Sequence, residues 1–168
     1  MRILILLLTF QMILNSCSKK NEITETEIYD TLNRIIADDS LHITKLCSKL
    51  NNLALTLELE KKFNREDIEF IKEQKLAYIN TKLKPNKLKN GVKNYYTKSK
   101  DFIQIDSVFN EGIVYYFSFP LISKDRKTIL IEISEDCNAM LCGFSGKFLY
   151  VKKNDRWILK EKIDFITS

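Results

Sequence analysis

The hydrophobic positions of this chain change their spacing four times, and each change marks a new element. Ile3 to Leu14 is a 12-residue, predominantly apolar run that shows no amphipathic period. From Ile28 the apolar residues Leu32, Ile35 and Ile36 recur at i+4, i+7 and i+8, one face of a helix. Thr24 and Glu27 have the spacing of a capping box, and Ile23 with Ile28 that of a hydrophobic staple. Asp38-Asp39-Ser40 ends this first helix. Ile43, Leu46, Leu50 and Leu53 keep helical spacing, whereas Leu53, Leu55, Leu57 and Leu59 alternate. A short helix followed by a strand, with the switch near Asn51-Asn52, is the expectation there. Asn64 caps another helix from Arg65 to about Ala77, with Phe63 and Ile68 placed as a staple, and Pro85 and Gly91 mark the loop beyond it.

The second half reads as strands. Ile113, Tyr115, Phe117 and Phe119 alternate with Val114, Tyr116 and Ser118 up to Pro120. Lys124-Asp125-Arg126-Lys127 is a polar turn before Ile129, Ile131 and Ile133. A strand from Lys147 to Lys153, a turn at Asn154-Asp155 and a last strand from Arg156 to about Ile163 follow. Short connections join antiparallel neighbours, so a meander of about four strands is expected. Its apolar face needs a cover, and the amphipathic N-terminal helices supply one. The expected fold class is α+β, a single domain over residues 25–168.

The apolar leader changes the picture of where this domain works. Arg2 provides a short positive segment ahead of it. Twelve residues make a helix about 18 Å long, short of a hydrocarbon core of about 30 Å, so a signal peptide is expected rather than a membrane span. Leu14-Asn15-Ser16-Cys17 closes the run and resembles the lipobox of bacterial lipoproteins. That resemblance implies removal of residues 1–16, acylation of Cys17 (palmitate being the usual label) and a short polar tether over residues 17–24. Several acyl chains hold a protein durably, each buried CH₂ contributing about 0.8 kcal/mol. The lack of Asp at position 18, and of an acidic run after Cys17, implies by the same resemblance an outer-membrane location facing the periplasm.

Composition bounds the rest. The 168 residues are 45% hydrophobic and 29% charged, with four Gly and two Pro, a globular balance rather than a disordered one. The net charge of +5 is mild. Basic residues are concentrated between Lys82 and Lys100, with Tyr95 and Tyr96 among them and no acid. Such interleaving suits nucleic acid in a cytosolic protein. The leader removes nucleic acid as a partner and leaves a solvated loop or contact of Lys82, Lys84, Lys87, Lys89 and Lys93 with anionic head groups.

From Phe117 to Ile163 the succession Ser118-Phe119-Pro120, Ser123-Lys124-Asp125, Cys137, Leu141-Cys142-Gly143, Gly146, Leu149-Tyr150 and Trp157 is similar to the C-terminal half of small Bacteroidetes-type lipoproteins of unknown function. Those have three residues between the cysteines where this chain has four. The resemblance carries over no catalytic residue.

Cys137 and Cys142 read as a disulfide closing a tight loop in an oxidising envelope. A thioredoxin-type redox centre has two intervening residues, and zinc needs more ligands than Cys47 and His42 add. Cys47 reads as a buried thiol, with pairing to either of the other two left open. His42, the single histidine, lacks the flanking signature of a nucleophile's partner, and neither glycine-rich phosphate motif is present. No cofactor, no metal and no enzyme activity are expected. The expectation is a lipid-anchored binding or structural protein, which an envelope protein could engage. Its alternatives are an immunity-type lipoprotein blocking an envelope toxin, and a periplasmic hydrolase using carboxylates.

Overall fold

A computed structural model describes residues 22–38, 43, 45–78, 80–88, 94–96, 113–136 and 143–167 of the chain. The first helix, α1 (Glu25–Asp38), forms where the periodicity places it. Thr24 N–H donates to Glu27 Oε2 at 2.8 Å and Glu27 N–H donates to Thr24 Oγ1 at 3.2 Å, the reciprocal bonds of a capping box. Ile28, Leu32, Ile35 and Ile36 are all buried, and Ile23 joins them in the core. A single helical turn, α2 (Leu57–Glu60), and the longer α3 (Arg65–Tyr78) follow. Asn64 caps α3 as expected, its Oδ1 accepting from Asp67 N–H at 2.8 Å.

The helices pack on a mixed β-sheet, which makes the domain α+β. Its strands are β1 (Lys45–Cys47), β2 (Asn94–Tyr96), β3 (Val114–Phe117), β4 (Leu121–Ile122), β5 (Thr128–Asp136), β6 (Gly143–Lys153) and β7 (Arg156–Thr167). The continuous path has the order β2-β1-β3-β5-β6-β7, and the two-residue β4 pairs with β5 beside it. The four-stranded antiparallel meander is therefore corrected. Its antiparallel part exists from β3 through β7, but β1 adds to β3 in parallel and β2 adds to β1 in parallel.

Two further expectations give way in the same region. Residues 45–47 form the inner strand β1, where a short helix was expected. All three are buried, so no alternation advertises a strand; pairing on both sides overrides the local helical spacing. The strand expected from Leu53 to Leu59 is absent, and its end becomes α2 with Leu59 buried and Leu57 80% exposed.

Pro120 does not end the β3 segment but interrupts it. Ser118 N–H donates to Glu132 O at 2.9 Å, while Glu132 N–H donates to the Ser118 hydroxyl at 2.8 Å. A side-chain oxygen thus takes a ladder position, and the chain resumes pairing as β4 against Ile129 and Leu130. Ile129, Leu130 and Ile131 are buried in succession, so both faces of the sheet are covered there.

The β6–β7 turn is the expected one: Asn154 (φ 49°) and Asp155 (φ 62°) both lie in the left-handed region, the requirement of a type I′ hairpin. The disulfide is corrected. Among the described residues the structure forms no disulfide bond, and β5 and β6 are joined instead by an unbroken ladder from Thr128↔Val151 to Asp136↔Gly143. Backbone hydrogen bonds hold this pair to its last register position. Cys137 and Cys142 themselves lie in the connection, outside the described residues. Cys47 is buried in β1, as expected.

Candidate functional site

The polar side of α1 and the β6–β7 turn form a charged cleft of about 190 Å³. Glu27, Asp30 and Arg34 line it from α1, Arg126 from the β4–β5 turn, and Lys152 and Trp157 from the last hairpin. The helix is tied down at its far end. Arg34 donates to the backbone oxygen of Asp155 at 2.8 Å and to its carboxylate at 3.1 Å, and Trp157 N–H donates to Asp38 Oδ2 at 3.2 Å. Lys152 Nζ lies 2.8 Å from Asp155 Oδ1 and 5.9 Å from the centre of the Trp157 ring. Hydrogen bonds from Lys152 and Arg34 hold the Asp155 carboxyl below its ordinary range.

Glu27 sits at the other end of this cleft. Burial raises its pKa, but bonds from the Thr24 N–H, the Thr24 hydroxyl and Arg126 outweigh that and lower it overall. Glu27 is consequently a helix cap and an ion-pair partner, held ionised, not a stored proton. Arg126, with φ 58°, reaches from its turn to Glu27 Oε1 at 3.4 Å and across the Phe70 ring at 5.1 Å.

A second cluster surrounds the start of α1. Glu25 accepts from Lys84 Nζ and from Lys87 Nζ, each at 2.6 Å. Those two bonds lower the Glu25 pKa, and the same contact raises that of Lys84. Lys84 N–H also donates to the Tyr29 hydroxyl at 2.5 Å, and Lys87 O accepts from Asn33 Nδ2 at 3.0 Å. Lys49 and Lys82 meet in an antiparallel bridge, both exposed, beside the bond from Leu83 N–H to Ser48 O at 2.8 Å. An apolar cleft of about 520 Å³ runs along this cluster over Ile28, Tyr29, Leu50 and Leu83. Tyr78 separates it from a third cleft of about 350 Å³ bounded by Glu22, Ile23, Phe70 and Glu73. The Tyr78 hydroxyl donates to Ile23 O at 2.6 Å and its ring stacks on Phe119 at 4.6 Å, fixing the approach to α1.

The structure brings Lys84 and Lys87 together on Glu25, an acid that the sequence accounts for by the helix dipole alone, and Lys82 lines the same cleft. Lys89 and Lys93 lie outside the described residues, as do Cys17 and His42. Among the described residues no group of three His, Cys, Asp or Glu side chains could hold a metal ion, and no helix is long and apolar enough to cross a membrane. The Trp157 cleft joins residues more than a hundred positions apart, a proximity with no local signal. Comparison with protein-family models, with curated proteins and with solved structures finds no match.

Proposed function

We propose that this chain is a lipoprotein of the cell envelope, anchored through Cys17 in the outer membrane on its periplasmic side, whose α+β domain binds rather than catalyses. The observation that carries this reading is Leu14-Asn15-Ser16-Cys17 at the end of the apolar leader, five residues ahead of Glu22. What the clefts contain supports the binding half. Their best-placed carboxylates are engaged in architecture: Glu27 by Thr24 and Arg126, Glu25 by Lys84 and Lys87. A general acid needs a raised pKa, and both of these are lowered.

The test is metabolic labelling with palmitate followed by membrane fractionation. Wild type should carry the label and sediment with membranes, whereas Cys17→Ala should do neither. Equal labelling of both would overturn the anchor. Turnover of peptidoglycan or of an ester panel, lost in Glu27→Gln or Asp30→Asn, would overturn the non-catalytic half.

A further inference from the structure

The anchor limits which part of the domain can approach the bilayer. Glu22 lies five residue steps beyond Cys17, and a fully extended chain gains at most about 3.6 Å per residue, so Glu22 stays within about 18 Å of the acylated cysteine. The start of α1 is therefore the membrane-proximal end of the domain. The structure brings lysines to it from a later segment of the chain, with Lys49 linked to them through Lys82. Lys84 and Lys87 are held there by Glu25, and Lys82 stands beside Lys84 and carries Lys49 with it through the antiparallel bridge. The acids of this end are Glu22, Glu25 and Glu27; Glu27 is paired with Arg126 and Glu25 is shared between two lysines, so the patch keeps a positive excess.

We infer that the face formed by Lys49, Lys82, Lys84 and Lys87 rests on the anionic phospholipid head groups of the bilayer that holds the anchor. This rests on the anchored reading above, and the occupant follows from charge complementarity together with tether length. Docked in this way, the domain has a fixed orientation. Lys84 and Lys87 are positioned by bonds to α1 at Glu25, Tyr29 and Asn33, so the patch moves with the helix as one surface. Exposed lysines on other elements, such as Lys153 and Lys160 of the last hairpin, are expected to remain in solvent.

Lysine-acetylation footprinting of the full acylated protein, read by mass spectrometry, tests this. The protein is reconstituted in vesicles of phosphatidylcholine alone or containing phosphatidylglycerol. Phosphatidylglycerol should slow acetylation of Lys49, Lys82 and Lys84 several-fold and leave Lys153 and Lys160 unchanged. Salt at about 1 M, where the Debye length is about 3 Å, should remove the protection. Uniform rates across all five lysines, or protection that persists on phosphatidylcholine alone, would overturn the docking face while the anchor stands. An intact mass without acyl chains on Cys17 would instead overturn the anchored reading, and the docking face with it. Lys49→Glu with Lys82→Glu should restore the acetylation rate of Lys84 on anionic vesicles; unchanged protection in that variant counts against the proposal.

Discussion

Gln74 and Ile122 exchange two hydrogen bonds: Gln74 Nε2 donates to Ile122 O at 2.6 Å, and Ile122 N–H donates to Gln74 Oε1 at 3.2 Å. The side-chain amide has the donor and acceptor pattern of a peptide unit, so a residue on α3 completes the outer edge of β4 as a neighbouring strand would. Both residues are buried, so the Ile122 backbone groups lose their partner when the amide is removed. Gln74→Leu leaves a buried N–H and C=O unsatisfied and should cost about 1–3 kcal/mol. The neighbouring exposed Glu73→Leu should change little. Urea denaturation of the two variants checks this; equal effects would mean that the exchange contributes nothing specific.

Two glycines of β6 are required for different reasons. At Gly143 φ is +106°, and an added Cβ would stand 2.4 Å from Glu135 O. At Gly146 the backbone is ordinary, but a Cβ would meet Phe165 Cδ2 at 2.9 Å and Phe165 Cα at 3.2 Å. Gly146→Ala should cost about 1–3 kcal/mol through overpacking, and Phe165→Leu should return part of it. Gly143→Ala should cost more, with no relief from Phe165→Leu. Denaturation of the double variants separates the two mechanisms.

The acid limb of stability should carry a signature of Glu27. Its folded pKa is lowered from the ordinary 4.5, so its contribution is complete above that value and is lost as pH falls through the folded pKa. Asp125 behaves in the same direction: burial raises it, but the Ser123 hydroxyl and the Lys127 N–H more than compensate. Urea midpoints measured from pH 6 to pH 3 should fall for the wild type. The fall should be shallower in Glu27→Gln, which starts from lower stability. Parallel curves would show that Glu27 titrates alike in the folded and unfolded chain.

The last hairpin offers a backbone test. Asn154 occupies the left-handed region, which Asn tolerates better than Ala does. Asn154→Ala should therefore destabilise by about 1 kcal/mol, and Asn154→Gly should be close to neutral. Thermal unfolding of both variants decides the matter.

What could be read from the sequence was what local spacing controls. The capping box of Thr24 and Glu27, the Asn64 cap of α3 and the Asn154-Asp155 turn all act within a few residues, and each forms as its spacing implies. Lys45-Leu46-Cys47 escaped because a strand buried between two neighbours shows no alternation. The β3 segment was found, but its continuation past Pro120 depends on Ser118 bonding to Glu132, fourteen residues away. The candidate site was the least legible part. Its lysines stand out in the sequence, yet their Glu25 partner and the Trp157 cleft exist only once α1 lies on the sheet.

The parallel pairing of β1 has a consequence for the order in which the molecule matures. β5, β6 and β7 pair through connections of a few residues, whereas β1 pairs with Asn94 and Val114, dozens of residues further along the chain. Loop-closure cost delays such distant contacts, so the C-terminal hairpins should gain protection first and β1 last. Pulse-labelled hydrogen exchange during refolding should show the amides of Leu130 and Leu149 protected before that of Leu46. Until its final third is made, the chain lacks β5, β6 and β7, the antiparallel body of the sheet, and without that body a protein can still be passed through a narrow membrane channel.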